Sequence, residues 1–169
     1  APFLQPARKA IHDFMEKLPR PFAEFLLFGF KMAWACLFAA AFLSLLIATH
    51  FLWVKNQYIS RYDFLFLMAI IIQCLMLWTK LESFEELKVI TAYHIIGTIM
   101  EIFKTHVGSW EYPEYSLIKI GGVPLFTGFM YGTVGSFMAR AIRVFEMYFE
   151  NYPKQIHTII IALLIYINF

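Results

Sequence analysis

Charge is scarce in this chain. Aspartate, glutamate, lysine and arginine make up 15% of its 169 residues, against roughly 25% in a soluble domain. With 14 basic and 12 acidic residues the net charge is +2, too small a field to hold nucleic acid. Polar linkers are missing too, so residues 1–169 read as a single unit. Only Cys36 and Cys74 are present, both in apolar runs and without CxxC or Cys/His spacing. That argues against a structural zinc site and leaves buried, unpaired thiols as the ordinary role. No P-loop, dinucleotide fingerprint, HExxH or nucleophile elbow occurs, which disfavours standard kinase, Rossmann and hydrolase chemistry. The N-terminal stretch mixes Arg8, Lys9, Asp13, Glu16, Lys17 and Arg20 with apolar residues and shows no secretory-signal pattern.

What fills the space is apolar and aromatic. Hydrophobic residues are 60% and aromatics 19%, with 19 Phe, 9 Tyr and 4 Trp, and the mean hydropathy is +0.64. One soluble core does not need this many aromatics, whereas lipid-facing walls and interfacial belts use them. The expected fold is all-α, a polytopic transmembrane helical bundle with about five spans and an N-terminal amphipathic helix. Residues 1–30 form the interfacial segment, with helical periodicity over 7–28 broken at Pro19-Arg-Pro21. Spans are expected at about 32–54, 64–79, 88–104, 123–142 and 156–169. The first lies between Lys31 and Lys55, with Trp34 and Trp53 near its ends. The last has 14 residues and stops within an apolar run, and the chain starts without Met, so a fragment is expected. Lys and Arg number ten in loops on the N-terminal side and four on the other, placing the N-terminus in the cytoplasm.

The third expected span carries the most chemistry. His94 and Glu101 are seven residues apart, almost two helical turns, and share a face with Gly97. A carboxylate inside lipid is costly and marks a functional candidate. His94, Glu101 and His106 are the catalytic candidates and, with a transition metal such as zinc, iron or manganese, the candidate metal ligands. Further ligands would come from His50, His157, Glu82, Glu85 or Glu86. The ordinary alternative is a Glu101–Lys104 pair near the interface. Trp110 and Tyr112 lie in a loop rich in unusual residues. With Gln73 and Tyr131 they are the candidate ligand-binding residues. Gly128, Gly132, Gly135 and Ser136 place small residues on one face, a pattern for close helix packing. Gly121-Gly-Val-Pro124 reads as a turn into the fourth helix, Leu81–Lys88 as an acidic helix start, and Arg140 and Arg143 as cations at a helix end that could meet lipid phosphate. Arg61 and Asp63 read as an ion pair.

Several blocks in order, Arg61-Tyr-Asp63, Glu85-Glu-Leu-Lys-Val-Ile90, His94, Glu101-Ile-Phe-Lys104, Gly108-Ser-Trp-Glu-Tyr-Pro113 and Gly122-Val-Pro-Leu-Phe-Thr-Gly-Phe-Met-Tyr131, resemble the YoaT-like bacterial integral membrane proteins. The likeness covers about residues 60–169. It implies a multi-span bacterial inner-membrane protein of unassigned activity, whose relatives continue beyond Phe169 into a His-rich stretch. Gly108-Ser-Trp-Glu-Tyr112 followed by Val123-Pro124 also bears a short likeness to membrane enzymes of carotenoid synthesis. The expected function is a membrane-embedded enzyme or binding protein for a lipid-like or isoprenoid substrate, held in a His/Glu pocket. The alternatives are a proton-coupled transporter, or an accessory subunit docking through the Gly128–Gly135 face. Membrane lipids are the expected partners, with a homo-oligomer or a larger membrane complex as a further option.

Overall fold

The computed structural model describes residues 17–54 and 58–167. Six helices run α1 Arg20–Ala35, α2 Leu37–Leu52, α3 Arg61–Trp78, α4 Phe84–His106, α5 Phe126–Val144 and α6 Gln155–Ile167 among these residues. A two-stranded antiparallel hairpin, β1 Lys119–Ile120 and β2 Val123–Pro124, lies between α4 and α5. The all-α expectation is met apart from this hairpin. Gly121 and Gly122 form its turn at φ 58° and 83°, the left-handed backbone that a two-residue hairpin turn demands. Pro124 therefore sits in β2, and α5 starts only at Phe126, later than the sequence pattern placed it.

The helix limits differ from the expected spans. Residues 1–16 of the amphipathic segment lie outside the described residues. The remainder of that segment enters α1, which starts with proline in its first turn and continues to Ala35. The expected unbroken run over 32–54 is interrupted: α1 and α2 meet at Cys36 with a bend of 62°. A helix end leaves carbonyls without intrahelical partners. Here backbone N–H groups reach Met32 C=O and Trp34 C=O, and the Arg140 guanidinium donates to Trp34 C=O as well at 3.2 Å. By length and composition α3 can cross a membrane, and the α1–α2 pair raises the number to two if it counts as one bent span. The longer α4 is set by a capping box: Ser83 Oγ accepts from Glu86 N–H while the Glu86 carboxylate accepts from Ser83 N–H. Its charged residues and histidines lower its hydropathy below that of α3, and Gly, Ser, Thr and two Arg do the same in α5.

The most extensive packing is between α4 and α5. They run antiparallel, with Gly128 against His94 and Thr98, Gly132 against Ile90 and Gly135 against Tyr93. The small-residue face thus works as the sequence suggested, but it is covered by α4 within this chain. It is not free to dock a separate subunit. A second centre joins α2, α3 and α5 through Phe42, Tyr62, Leu65, Ala69 and Phe126.

Asp63 fastens the loop before β1 to the start of α3. Its carboxylate accepts from Ser60 Oγ (2.6 Å), Ser116 Oγ (2.7 Å), Leu117 N–H and Ile118 N–H (both 2.9 Å). The expected Arg61–Asp63 pair is not formed. Arg61 reaches instead to Glu114 with Nε and Nη2 at 2.6–3.0 Å, because the folded-back loop offers a carboxylate in the fork geometry that guanidinium favours. Asp63→Ala is expected to lower stability by about 3 kcal/mol, since several donors lose their acceptor together. It should also expose the 107–118 segment to protease, measured as faster cleavage there than in the wild type.

Candidate functional site

Glu101 lies on α4, little more than one helical turn before the chain leaves the helix. Gly108, at φ 76°, turns the chain back, and this return brings Trp110 and Tyr112 onto the same carboxylate. Trp110 Nε1 donates to Glu101 Oε2 at 2.9 Å and the Tyr112 hydroxyl donates to the same oxygen at 2.5 Å. From α5, the Tyr131 hydroxyl donates to Oε1 at 2.6 Å. Glu101 is 3% exposed. Burial, then the adjoining Glu101 carboxylate, pushes the Tyr112 phenol well above its ordinary range, so it remains a donor at neutral pH.

Gly97 makes the third hydrogen bond geometrically possible. A Cβ there would overlap the Cβ, Cγ and Cδ2 atoms of Tyr131. These belong to the root of the side chain, so no rotation at its tip relieves the clash. Gly97→Ala is expected to push α5 outward and cost about 1–3 kcal/mol, the range for overpacking. The readout is thermal unfolding together with a rise in Tyr131 accessibility to iodination.

Glu101, Trp110, Tyr112, Tyr131, Met130 and Val134 line a cavity of about 480 Å³ that opens widely to the surface, where Trp110, Met130 and Val134 are exposed. Apart from the carboxylate and the tips of its three donors the lining is apolar, the pattern of small-molecule sites. Four sequence candidates, Glu101, Trp110, Tyr112 and Tyr131, are therefore brought together. The other three are not. His94 stands on the same side of α4, but its ring packs 4.5 Å from that of Phe129 and against Gly128. His106 lines a different cavity of about 730 Å³ with Ile99, Ile102, Phe103, Thr105 and Gly121; the helix does not fold back to carry it to Glu101. Gln73 belongs to another buried cluster. Lys104 is also not the partner of Glu101: its ammonium lies over the Trp110 ring, 4.6 Å from the centroid.

The expected metal ligands His94, Glu101 and His106 are not gathered at one point. Among the described residues no group of three or more His, Cys, Asp or Glu is placed to hold a metal ion. His94 and His106 stand away from the Glu101 carboxylate, Glu85 pairs with Lys88, and Glu86 pairs with Arg143.

Glu82 has a different role. It receives Ser136 Oγ at 2.5 Å, Arg140 Nη2 at 2.8 Å and Gln73 Nε2. Arg140 is fully buried, so it meets neither solvent nor lipid phosphate. Arg143 pairs with Glu86 at 3.0 Å and donates to Leu81 C=O. This cluster ties α1, α3, the α3–α4 turn and α5 together. The pairing was not legible in the sequence; the signal present was one acid and one arginine beside apolar segments, more than 50 residues apart.

Residues 24–169 match the family described as a protein of unknown function, DUF817. The chain is 38% identical over 150 residues to the uncharacterized protein YoaT of Bacillus subtilis (strain 168), covering 89% of this chain and 56% of that protein. The chain thus spans about half the length of the curated relative it matches. No solved structure matches it. By the extent of these matches, the chain belongs to the DUF817 family of YoaT-like bacterial proteins, whose function is unassigned.

Proposed function

We propose that this chain is a membrane-embedded binding protein whose Glu101 cavity takes an apolar, lipid-like molecule. The carrying observation is the cavity itself: a buried carboxylate fixed by Trp110, Tyr112 and Tyr131 at the end of an otherwise apolar space. Membrane embedding draws support from the distribution of residue types. Among the described residues, buried polar and charged side chains are as numerous as buried apolar ones, while Phe, Leu and Ile are exposed along α1, α2, α3 and α6. Water-soluble folds rarely leave large contiguous apolar surfaces uncovered, and in lipid the polar groups turn inward. On this reading the bundle crosses the bilayer about five times, with the polar side chains of α4 and α5 turned inward, the N-terminus cytoplasmic and the inner membrane as its location.

The test is mass spectrometry of small molecules that co-purify with the protein. Wild type is expected to retain an apolar molecule that Val134→Trp loses, because the indole fills the cavity without touching the Glu101 hydrogen bonds. Equal retention by both proteins, or none by either, would overturn the reading. A second reading, a proton-coupled transporter, is favoured by one feature: the α1–α2 break with buried Arg140 donating to a carbonyl at its end, since broken helices build transport sites. Proton-dependent flux into proteoliposomes, absent from protein-free vesicles, would support it.

A further inference from the structure

The charge around Glu101 is unbalanced. All three groups that donate to the carboxylate are neutral, an indole and two phenols. No lysine, arginine or histidine among the described residues forms an ion pair with it. The nearest candidate in sequence, Lys104, is engaged over the Trp110 ring. A carboxylate oxygen can accept two hydrogen bonds. Oε2 has two, from Trp110 and Tyr112, whereas Oε1 has one among the described residues, from Tyr131, which leaves an acceptor position. The other buried carboxylates among the described residues are met more fully: Glu82 has Arg140, Glu86 has Arg143, and Asp63, which also lacks a counter-charge, has two donors on each oxygen. Glu101 also opens onto a cavity. A buried charge without a counter-charge is costly, and a bound cation would offset that cost.

We infer that the Glu101 cavity recognises a protonated amine carried on an apolar body. The inference rests on the proposed binding role of this cavity and specifies its ligand class. The ammonium N–H groups would donate to Oε1, a charge-assisted bond stronger than a neutral one. Met130 and Val134 accommodate the hydrocarbon. An anionic ligand would meet the carboxylate as a like charge, and a neutral alcohol would lack the Coulomb attraction.

The experiment compares octylammonium, octanol and octanoate at neutral pH, reading the ligand-induced rise in the unfolding temperature of purified, detergent-solubilised protein. Octylammonium is expected to bind about tenfold more tightly than octanol, with octanoate the weakest. Glu101→Gln should erase the preference for the amine, and Val134→Trp should erase the shifts from all three. If octanol or octanoate matches the amine in wild type, the ligand class is wrong while the cavity stands. If none of the three shifts wild type, or if Val134→Trp responds as wild type does, the binding role of the cavity fails as well. The wild-type comparison decides the ligand class even if Glu101→Gln does not fold.

Discussion

Arg140→Met is expected to destabilise the protein by about 3–5 kcal/mol, the cost of leaving a buried charge without its partner. The side chains of Arg140 and Glu82 are 0% and 1% exposed, so neither can turn to water when the other is removed. The loss also removes the Arg140 hydrogen bond to Trp34 C=O that ties α5 to the end of α1. Glu82→Ala should be comparably severe, because it removes the acceptor of Arg140, Ser136 and Gln73 in one step. The discriminating variant is the double replacement Glu82→Gln with Arg140→Met. It removes both charges, and glutamine still offers groups to Ser136 and Gln73. Its stability should recover at least half of the single-variant loss, since replacing a whole buried pair is often close to neutral. Denaturant or thermal unfolding followed by helical circular dichroism measures all four proteins. Simple addition of the two single losses would show that the pair is not coupled and that the ion-pair account is wrong.

Glu101→Leu is the second large effect, at about 4 kcal/mol. Leucine matches much of the volume but accepts nothing, so Trp110, Tyr112 and Tyr131 each keep a donor in a largely buried place, at roughly 1–3 kcal/mol apiece if none finds water. Because the cavity is open at one side, water will partly satisfy them, which keeps the total below the sum. Glu101→Gln should cost less than half as much, as its amide oxygen can still accept two bonds. Tyr131→Phe removes one donor and leaves the other two in place, and about 1 kcal/mol is expected. The same series separates folding from function. Unfolding curves rank the variants as Leu, then Gln, then Phe. Ligand affinity should instead fall as far in Gln as in Leu, because both lack the negative charge. A ranking of affinity that simply follows stability would mean that Glu101 is structural only.

Much of the candidate site is legible in the linear order of residues. His94, Gly97 and Glu101 share a helix face because the α-helical period is local and fixed, and Gly97 does admit a close neighbour. The face of Gly128, Gly132 and Gly135 announced tight packing for the same reason. Trp110 and Tyr112 stood out by composition, and Gly108 marked the turn that returns them. The hairpin at 119–124 was not legible as strands, although Gly121-Gly122 is a strong turn signal; two-residue strands leave no periodicity to detect.

Sequence alone therefore determined a chain of apolar helices, the helix carrying Glu101 and the surface on which α4 and α5 meet, since each depends on residues within a few turns of one another. Membership of the YoaT-like family is carried by blocks in linear order. Tertiary structure decided which charge meets which. Glu82 found Arg140 and not a helix dipole, Arg61 found Glu114 and not Asp63, and Lys104 took the Trp110 ring and not Glu101. It also separated His94 and His106 from the carboxylate that spacing had grouped with them. The physical reason is that helix faces are set by a repeat of 3.6 residues, whereas ion-pair and hydrogen-bond partners are chosen over a few ångströms between segments 50 or more residues apart, by the way those segments pack.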